Sequence, residues 1–446
     1  MAKSHFISDQ KRRRLVICLV ISMNNLLRSH EFTFIDNEFG IVFDQPQAGF
    51  TPQKMASAHS KGETAAVVWM EYMRIIFIQL FAISLLIGIS YSAHADQFTS
   101  GVNGTESIAM AVLVDDEKRP HFPANTKKAN ATWAMAFDND LLAPGHRDRD
   151  YTYGMNLTYS GASAADAPIS LRTPLAIVDS WLGVNKLVAN PRSNYSVELG
   201  LFGFTPKELE RQTINETDRP YASLVYFSSS HEQIDLDKNV AWNSTLTIGA
   251  LGLGWVGDLQ NSAHQQTASK DARGWNHQIS DGGELTGRYV LARQDYLDSF
   301  SDSVEVKSTL QASVGYLTET SWGMSFRTGK IISPWSSFNP DLISYGEKST
   351  YSNNASTTNE HYFWAGFTLK ARFYNAFLQG QFRDSDFSYS YSDLRPIIAE
   401  TWAGYTYAFK QGYRISYVLR AQSSEIKHGD GDRSVVWGGL IFAATI

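Results

Sequence analysis

Apolar and polar residues alternate along most of the chain beyond residue 129, a period of two that sends successive side chains to opposite faces of a β-strand. In YTYGMNLTYS, Tyr151, Tyr153, Met155, Leu157 and Tyr159 fall on one face, and Thr152, Gly154, Asn156, Thr158 and Ser160 on the other. NYSVELGL sets Tyr195, Val197, Leu199 and Leu201 against Ser196, Glu198 and Gly200. FWAGFTLKARF and YRISYVLR repeat the pattern, with Lys370, Arg372, Arg414 and Arg420 on the polar side. Twelve such segments are predicted as strands, near 129–140, 151–160, 193–204, 220–230, 239–254, 284–298, 304–319, 321–333, 361–374, 395–410, 413–424 and 434–446. An even number suits a closed antiparallel barrel, and the closing segment WGGLIFAATI runs to the last residue, as pairing with the first strand requires. Taken singly, each segment would also fit a soluble sandwich. Strand number and an export signal favour an all-β transmembrane antiparallel β-barrel of about 12 strands, its charged face toward the lumen. The alternation breaks over 255–282, which is expected to form an extracellular loop with a short helix across the barrel mouth.

The export signal is MRIIFIQLFAISLLIGISYSAHADQ, in which Arg74 precedes an apolar run to Ile89 and Ala93-His94-Ala95 offers small residues for cleavage before Asp96. The run is shorter than the ~20 residues of a spanning helix. The expected organisation is therefore an upstream extension over 1–72 with Met73 as the true start, a signal peptide over 73–95, a polar segment over 96–128 and the barrel over 129–446. Export and a barrel together place the protein in the outer membrane of a Gram-negative bacterium. A net charge of −6 gives no basic field that would gather nucleic acid, and no protein partner is indicated. The one cysteine, Cys18, precedes the signal, so the barrel folds without a disulfide.

Four polar segments stand out. In AFDNDLLAPGHRDRDYTYG, Asp138, Asn139 and Asp140 end one strand, and Arg147, Asp148, Arg149 and Asp150 lead toward Thr152. Clustered oxygens of this kind suit a hard cation such as Ca²⁺, and equally an Asx-rich solvated turn. FTPKELERQTINETDRPYAS carries Lys207, Arg211, Asp218 and Arg219, and its Asp-Arg-Pro reads as a turn before a strand. QNSAHQQTASKDARGWNHQ holds His264, Trp275, His277 and Gln278 in the break of the alternation. A histidine there is either solvated or, beside an ester, a general base that titrates near neutrality. YNAFLQGQF reads as a hairpin feature without chemistry. No GxSxG elbow occurs and no cysteine follows the signal, so covalent catalysis lacks its usual markers.

At these residues the chain resembles the outer-membrane lipid A 3'-O-deacylase family. The resemblance runs from Trp133 to the C-terminus and is carried in order by FDND, DRDYTYG, FTP, DRPYAS, QNSAH, the tryptophan of GWNHQ, NAFLQG and the closing strand. It implies a Ca²⁺-dependent hydrolase that removes the 3'-linked acyloxyacyl chain from lipid A of outer-leaflet lipopolysaccharide. Carried over residue by residue, it implies His264 as the catalytic base, Asn139 and Asp140 as the site's Asn-Asp pair and metal ligands, and Thr152 as its hydroxyl residue. Lys207, Arg211 and Arg219 stand as candidates for holding a lipid phosphate. Where some members carry a carboxylate shortly after the histidine, this chain has Lys270. Two other readings remain open at this point: an esterase of the phospholipase type using the same histidine, and a non-enzymatic barrel or small channel.

Overall fold

The computed structural model describes residues 127–128, 131–144, 150–267, 269–301, 304–343, 354–355 and 358–445. The predicted signal peptide, the segment upstream of it, nearly all of the polar segment and the Arg147–Arg149 run lie outside the described residues. Twelve strands close into one antiparallel barrel. They are β1 Thr132–Asn139, β2 Asp150–Ser160, β3 Arg192–Thr205, β4 Ala222–Asp235, β5 Val240–Leu251 and β6 Glu284–Ser301. The second half comprises β7 Val304–Gly315, β8 Leu317–Lys330, β9 Glu360–Asn375, β10 Ile397–Ala408, β11 Tyr413–Gln422 and β12 Val435–Thr445. Each strand pairs with its neighbours in sequence, and β12 closes on β1 from Gly438↔Asn139 to Thr445↔Thr132.

The period of two sorts the residues as expected. Met135, Phe137, Leu157, Leu199, Phe363, Phe367, Ile415 and Phe442 are exposed on the outer wall, whereas Glu198, Lys370, Arg372, Arg414 and Arg420 are buried inside. Among the described residues no helix is long and apolar enough to cross a membrane.

Three particulars differ from the sequence reading. The pairing of β2 with β3 shifts between Tyr151 and Tyr153, so Tyr151 does not share the outer face with Tyr153; its ring is fully buried against Phe204 and Trp437. The hairpin joining β7 to β8 turns at Tyr316, a few residues earlier than predicted. YNAFLQG continues β9 into a single helical turn, α3 Ala376–Gln379, capped by Asn375.

The lumen is filled. At one end Tyr151, Phe202, Phe204, Tyr226, Tyr316, Phe377 and Trp437 form an apolar cap. Beneath it Glu319 bridges Arg288 and Arg372, Arg372 continues to Glu425, and Glu400 bridges Lys370 and Arg420. From the other end the segment after β8 folds inward, where Asp341 meets Lys307 at 3.2 Å and Arg420 donates to the Pro340 carbonyl at 2.6 Å. Charges taken out of water are tolerable only when so paired.

Two helices lie in connections. α1 Arg172–Leu182, which the alternation did not reveal, follows β2, and α2 Trp255–Thr267 follows β5 within the segment predicted to hold a helix. They belong to opposite ends of the barrel, because the connections after β2 and after β5 leave strands running in opposite directions.

Candidate active site

Asn139 ends β1 and caps the turn Asp140–Leu142, its side-chain oxygen accepting from the Leu141 N–H at 2.6 Å. Its amide donates to the carbonyl of Thr152 on β2. Asn139 and Thr152, thirteen residues apart in sequence, are thus brought together at the start of the first hairpin. The Thr152 hydroxyl contacts the hydroxyl of Thr205 at the end of β3. Asp140 is buried at 1% exposure. The turn it opens packs on β12, where a side chain at Gly438 would collide with the Leu142 carbonyl at 2.6 Å, so only glycine admits the turn there.

The residue after Thr152 joins this corner to the histidine. Tyr153 packs against a cluster of Leu209, Tyr221, Ala272 and Trp275. The Trp275 indole, 4.9 Å from the Tyr221 ring, donates to the Gln260 side-chain oxygen at 2.7 Å. Gln260 and His264 are one helical turn apart on α2, so they share a face, and both are buried there. Asn261 anchors the same helix by exchanging hydrogen bonds of 2.8 and 3.0 Å with the backbone of Ala272. Trp255 and Leu259 are left exposed on α2.

The hydrogen-bond directions set the tautomer of His264. An indole N–H only donates, so Gln260 turns its oxygen to Trp275 and its NH₂ to the His264 Nε2, 3.4 Å away. A carbonyl only accepts, so the Nδ1–H of His264 donates to the Lys270 carbonyl at 2.6 Å. Both ends agree on one tautomer, in which Nε2 is the basic nitrogen.

The other predicted residues have different surroundings. Lys207 and Arg211 are exposed on the β3–β4 connection, Arg211 beside Glu208 at 3.5 Å. Arg219 is buried, its guanidinium over the Phe204 ring at 4.6 Å and 3.8 Å from Asp150. The side chain of Lys270 points away from the histidine and pairs with Glu210 at 2.8 Å. That hydrogen bond and the lysine charge hold the Glu210 carboxyl below the usual carboxylate range.

Arg433, which the sequence reading passed over, binds Asp150 at 2.7 Å and Asp218 at 2.7 Å. It joins the DRDYTYG and DRPYAS motifs, each read from sequence as a separate turn. Burial opposes its charge, but Asp150 and Asp218 outweigh that and hold the guanidinium above its ordinary value. Gln260 was equally missed, although its spacing of four from His264 on a predicted helix would have marked it.

Among the described residues the corner offers a hard dication the oxygens of the Asp140 carboxylate, the Thr152 and Thr205 hydroxyls and the backbone carbonyls of the turn. No group of three or more histidine, cysteine, aspartate or glutamate side chains gathers among the described residues. The donor type fits Ca²⁺, and Asp140 is one of the buried carboxylates at this end of the hairpin, with Asp138 and Asp150 near it in sequence.

The sequence profile of the family described as "Outer membrane protein LpxR" matches residues 107–446. Among solved structures, LpxR from Salmonella typhimurium superimposes with a TM-score of 0.54 at 16% identity, covering 71% of this chain and 100% of that one. The translocator domain of the autotransporter NalP from Neisseria meningitidis gives 0.34 at 8% identity, covering 81% and 99%. The β domain of the Bordetella autotransporter BrkA gives 0.33 at 9% identity, covering 71% and 100%. No curated protein matches the sequence.

Proposed function

Because the chain belongs to the LpxR family of Gram-negative outer-membrane proteins, we propose that it hydrolyses the 3'-linked acyloxyacyl ester of lipid A, with His264 as general base. The observation that carries this reading is the hydrogen-bond chain from Trp275 through Gln260 and His264 to the Lys270 carbonyl, which fixes a buried imidazole in the tautomer whose Nε2 is the proton acceptor. In this reaction His264 takes the proton of the attacking water, an effect worth roughly a hundred- to ten-thousandfold in rate. Asn139 and Thr152 hold the corner on which Asp140 is set, and the Thr152 hydroxyl orients the ester or the water. When bound, Ca²⁺ supplies Lewis-acid stabilisation of the charge developing on the ester carbonyl, and Asp140 is the residue that would hold it. Lys207 and Arg211 are exposed on the neighbouring connection and would meet the lipid phosphates by charge pairing, Arg211 exchanging the exposed Glu208 for a phosphate.

Location supports a lipid substrate. Trp255 and Leu259 leave α2 with an exposed apolar edge at the barrel rim, so an acyl chain stays in the leaflet while its ester reaches polar groups. The filled lumen argues against the small-channel reading. The test is mass spectrometry of lipid A from cells expressing the chain or its His264→Ala variant, with and without chelation of Ca²⁺ in isolated membranes. Loss of the 3'-acyloxyacyl mass by the wild type alone, prevented by chelation, is the expected result. Unchanged lipid A with a correctly assembled barrel would overturn the reading.

A further inference from the structure

The outer wall carries a second set of catalytic-type side chains, apart from the His264 site. α1 lies against that wall with Leu175, Val178 and Leu182 packed on Tyr289, Leu291, Trp242 and Leu246. In the same buried stripe stands Asp179, at 3% exposure, one turn after Leu175. It accepts 2.7 Å hydrogen bonds from the hydroxyls of Ser244 and Tyr289. Its Oδ2 is also 3.8 Å from Nδ1 of His231 on β4. The Nε2 of that histidine is 3.2 Å from the hydroxyl of Ser193 on β3. His231 pairs across the strands with Tyr195, whose ring stacks on the imidazole at 4.6 Å and 2° and so fixes its plane.

The two hydroxyl bonds to Asp179 account for the seating of α1. They do not account for an imidazole whose Nδ1 faces a buried carboxylate and whose Nε2 faces an exposed serine. That sense, carboxylate to Nδ1 and hydroxyl to Nε2, is the arrangement that activates a serine nucleophile, and such sets are recognised by geometry, not by sequence order. The absence of a GxSxG elbow is no obstacle on a strand whose outward residues are already presented to the surroundings.

We propose that Ser193, His231 and Asp179 form a second, serine-based ester-hydrolysing site on the outer wall, acting on acyl esters of the membrane phospholipids around the barrel. Ser193 Oγ bonds to the acyl carbon as His231 Nε2 takes its proton. The ester C–O bond then breaks, and His231 returns the proton to the leaving glycerol oxygen. Water, deprotonated by the same nitrogen, cleaves the acyl-serine and releases the fatty acid. Ser193 and His231 are the catalytic residues; Asp179 is a positioning residue that stabilises the imidazolium. The lipids are the substrate class because the outward face of a barrel wall meets lipid.

The test uses the purified full-length barrel with a fluorophosphonate probe, the labelled serine being located by peptide mass spectrometry. Phosphatidylethanolamine vesicles supply the ester for the His264→Ala protein, which removes the site proposed above. Labelling at Ser193, abolished in Ser193→Ala and reduced at least tenfold in His231→Gln, is expected, together with fatty acid release that the added Ser193→Ala removes. Among the described contacts the imidazole is faced by Asp179 from α1 and by Ser193 and Tyr195 from β3, with Arg172 beyond the tyrosine ring. Loss of the one carboxylate in Asp179→Asn should therefore move the pH midpoint of labelling downward, a shift that a purely structural role would not produce. Failure of Ser193 to label, labelling unaffected by His231→Gln, or no fatty acid release would overturn the proposal, and lipid A deacylation by the wild type is read separately.

Discussion

The Nδ1 atom of His264 lies 2.6 Å from the backbone carbonyl of Lys270, while the Lys270 side chain turns away to Glu210. The orientation of the imidazole therefore depends on where the chain passes at 270, and not on which side chain it carries. Lys270→Ala is expected to leave the lipid A deacylation rate within about twofold of wild type, whereas His264→Ala should lower it by roughly a hundredfold or more. Lipid A mass spectra recorded over time would measure both.

Gln260 offers a pH test of the same chain. Gln260→Glu places a carboxylate beside Nε2, which favours the imidazolium over the neutral ring. A base must be unprotonated to act, so the acid limb of the pH–rate profile should move to higher pH. An unmoved limb would remove His264 from the role of base.

Asn139 serves the turn that carries Asp140. Asn139→Ala deletes the cap on Leu141 and the bond to the Thr152 carbonyl, a local loss of about 1 kcal/mol. Because the barrel is held by twelve paired strands, the heat-modified shift on gels should persist while deacylation falls at least tenfold. Full activity in this variant would show that the corner tolerates a loose Asp140.

The lumen network predicts stability and silence together. Glu319 is buried between Arg288 and Arg372, and Glu319→Gln removes the carboxylate the two share, leaving Arg372 its pair with Glu425, at a cost of about 3–5 kcal/mol. Its unfolding midpoint in urea should drop accordingly. The wild type, filled from cap to inturned loop, should give no steady conductance in planar bilayers.

The sequence by itself determined the wall. Alternation separates two faces wherever a strand divides lipid from lumen, so the twelve strands and the charged interior were legible from Tyr413 to Arg420 as readily as from Tyr195 to Leu201. It also marked Asn139, Asp140, Thr152 and His264, through a resemblance that spans the barrel. Only the tertiary structure decided what surrounds each of them, Thr152 beside Asn139 and Gln260 with the Lys270 carbonyl beside His264. Tyr151 left the outer face because a register shift reversed its direction, and α1 went unseen because its apolar stripe is completed by residues of β5 and β6 far away in sequence. Arg433 joins Asp150 to Asp218, Lys270 serves His264 through its backbone, and Ser193 meets His231 across two strands. Such pairings depend on barrel closure and loop packing, which bring together residues that no local period connects.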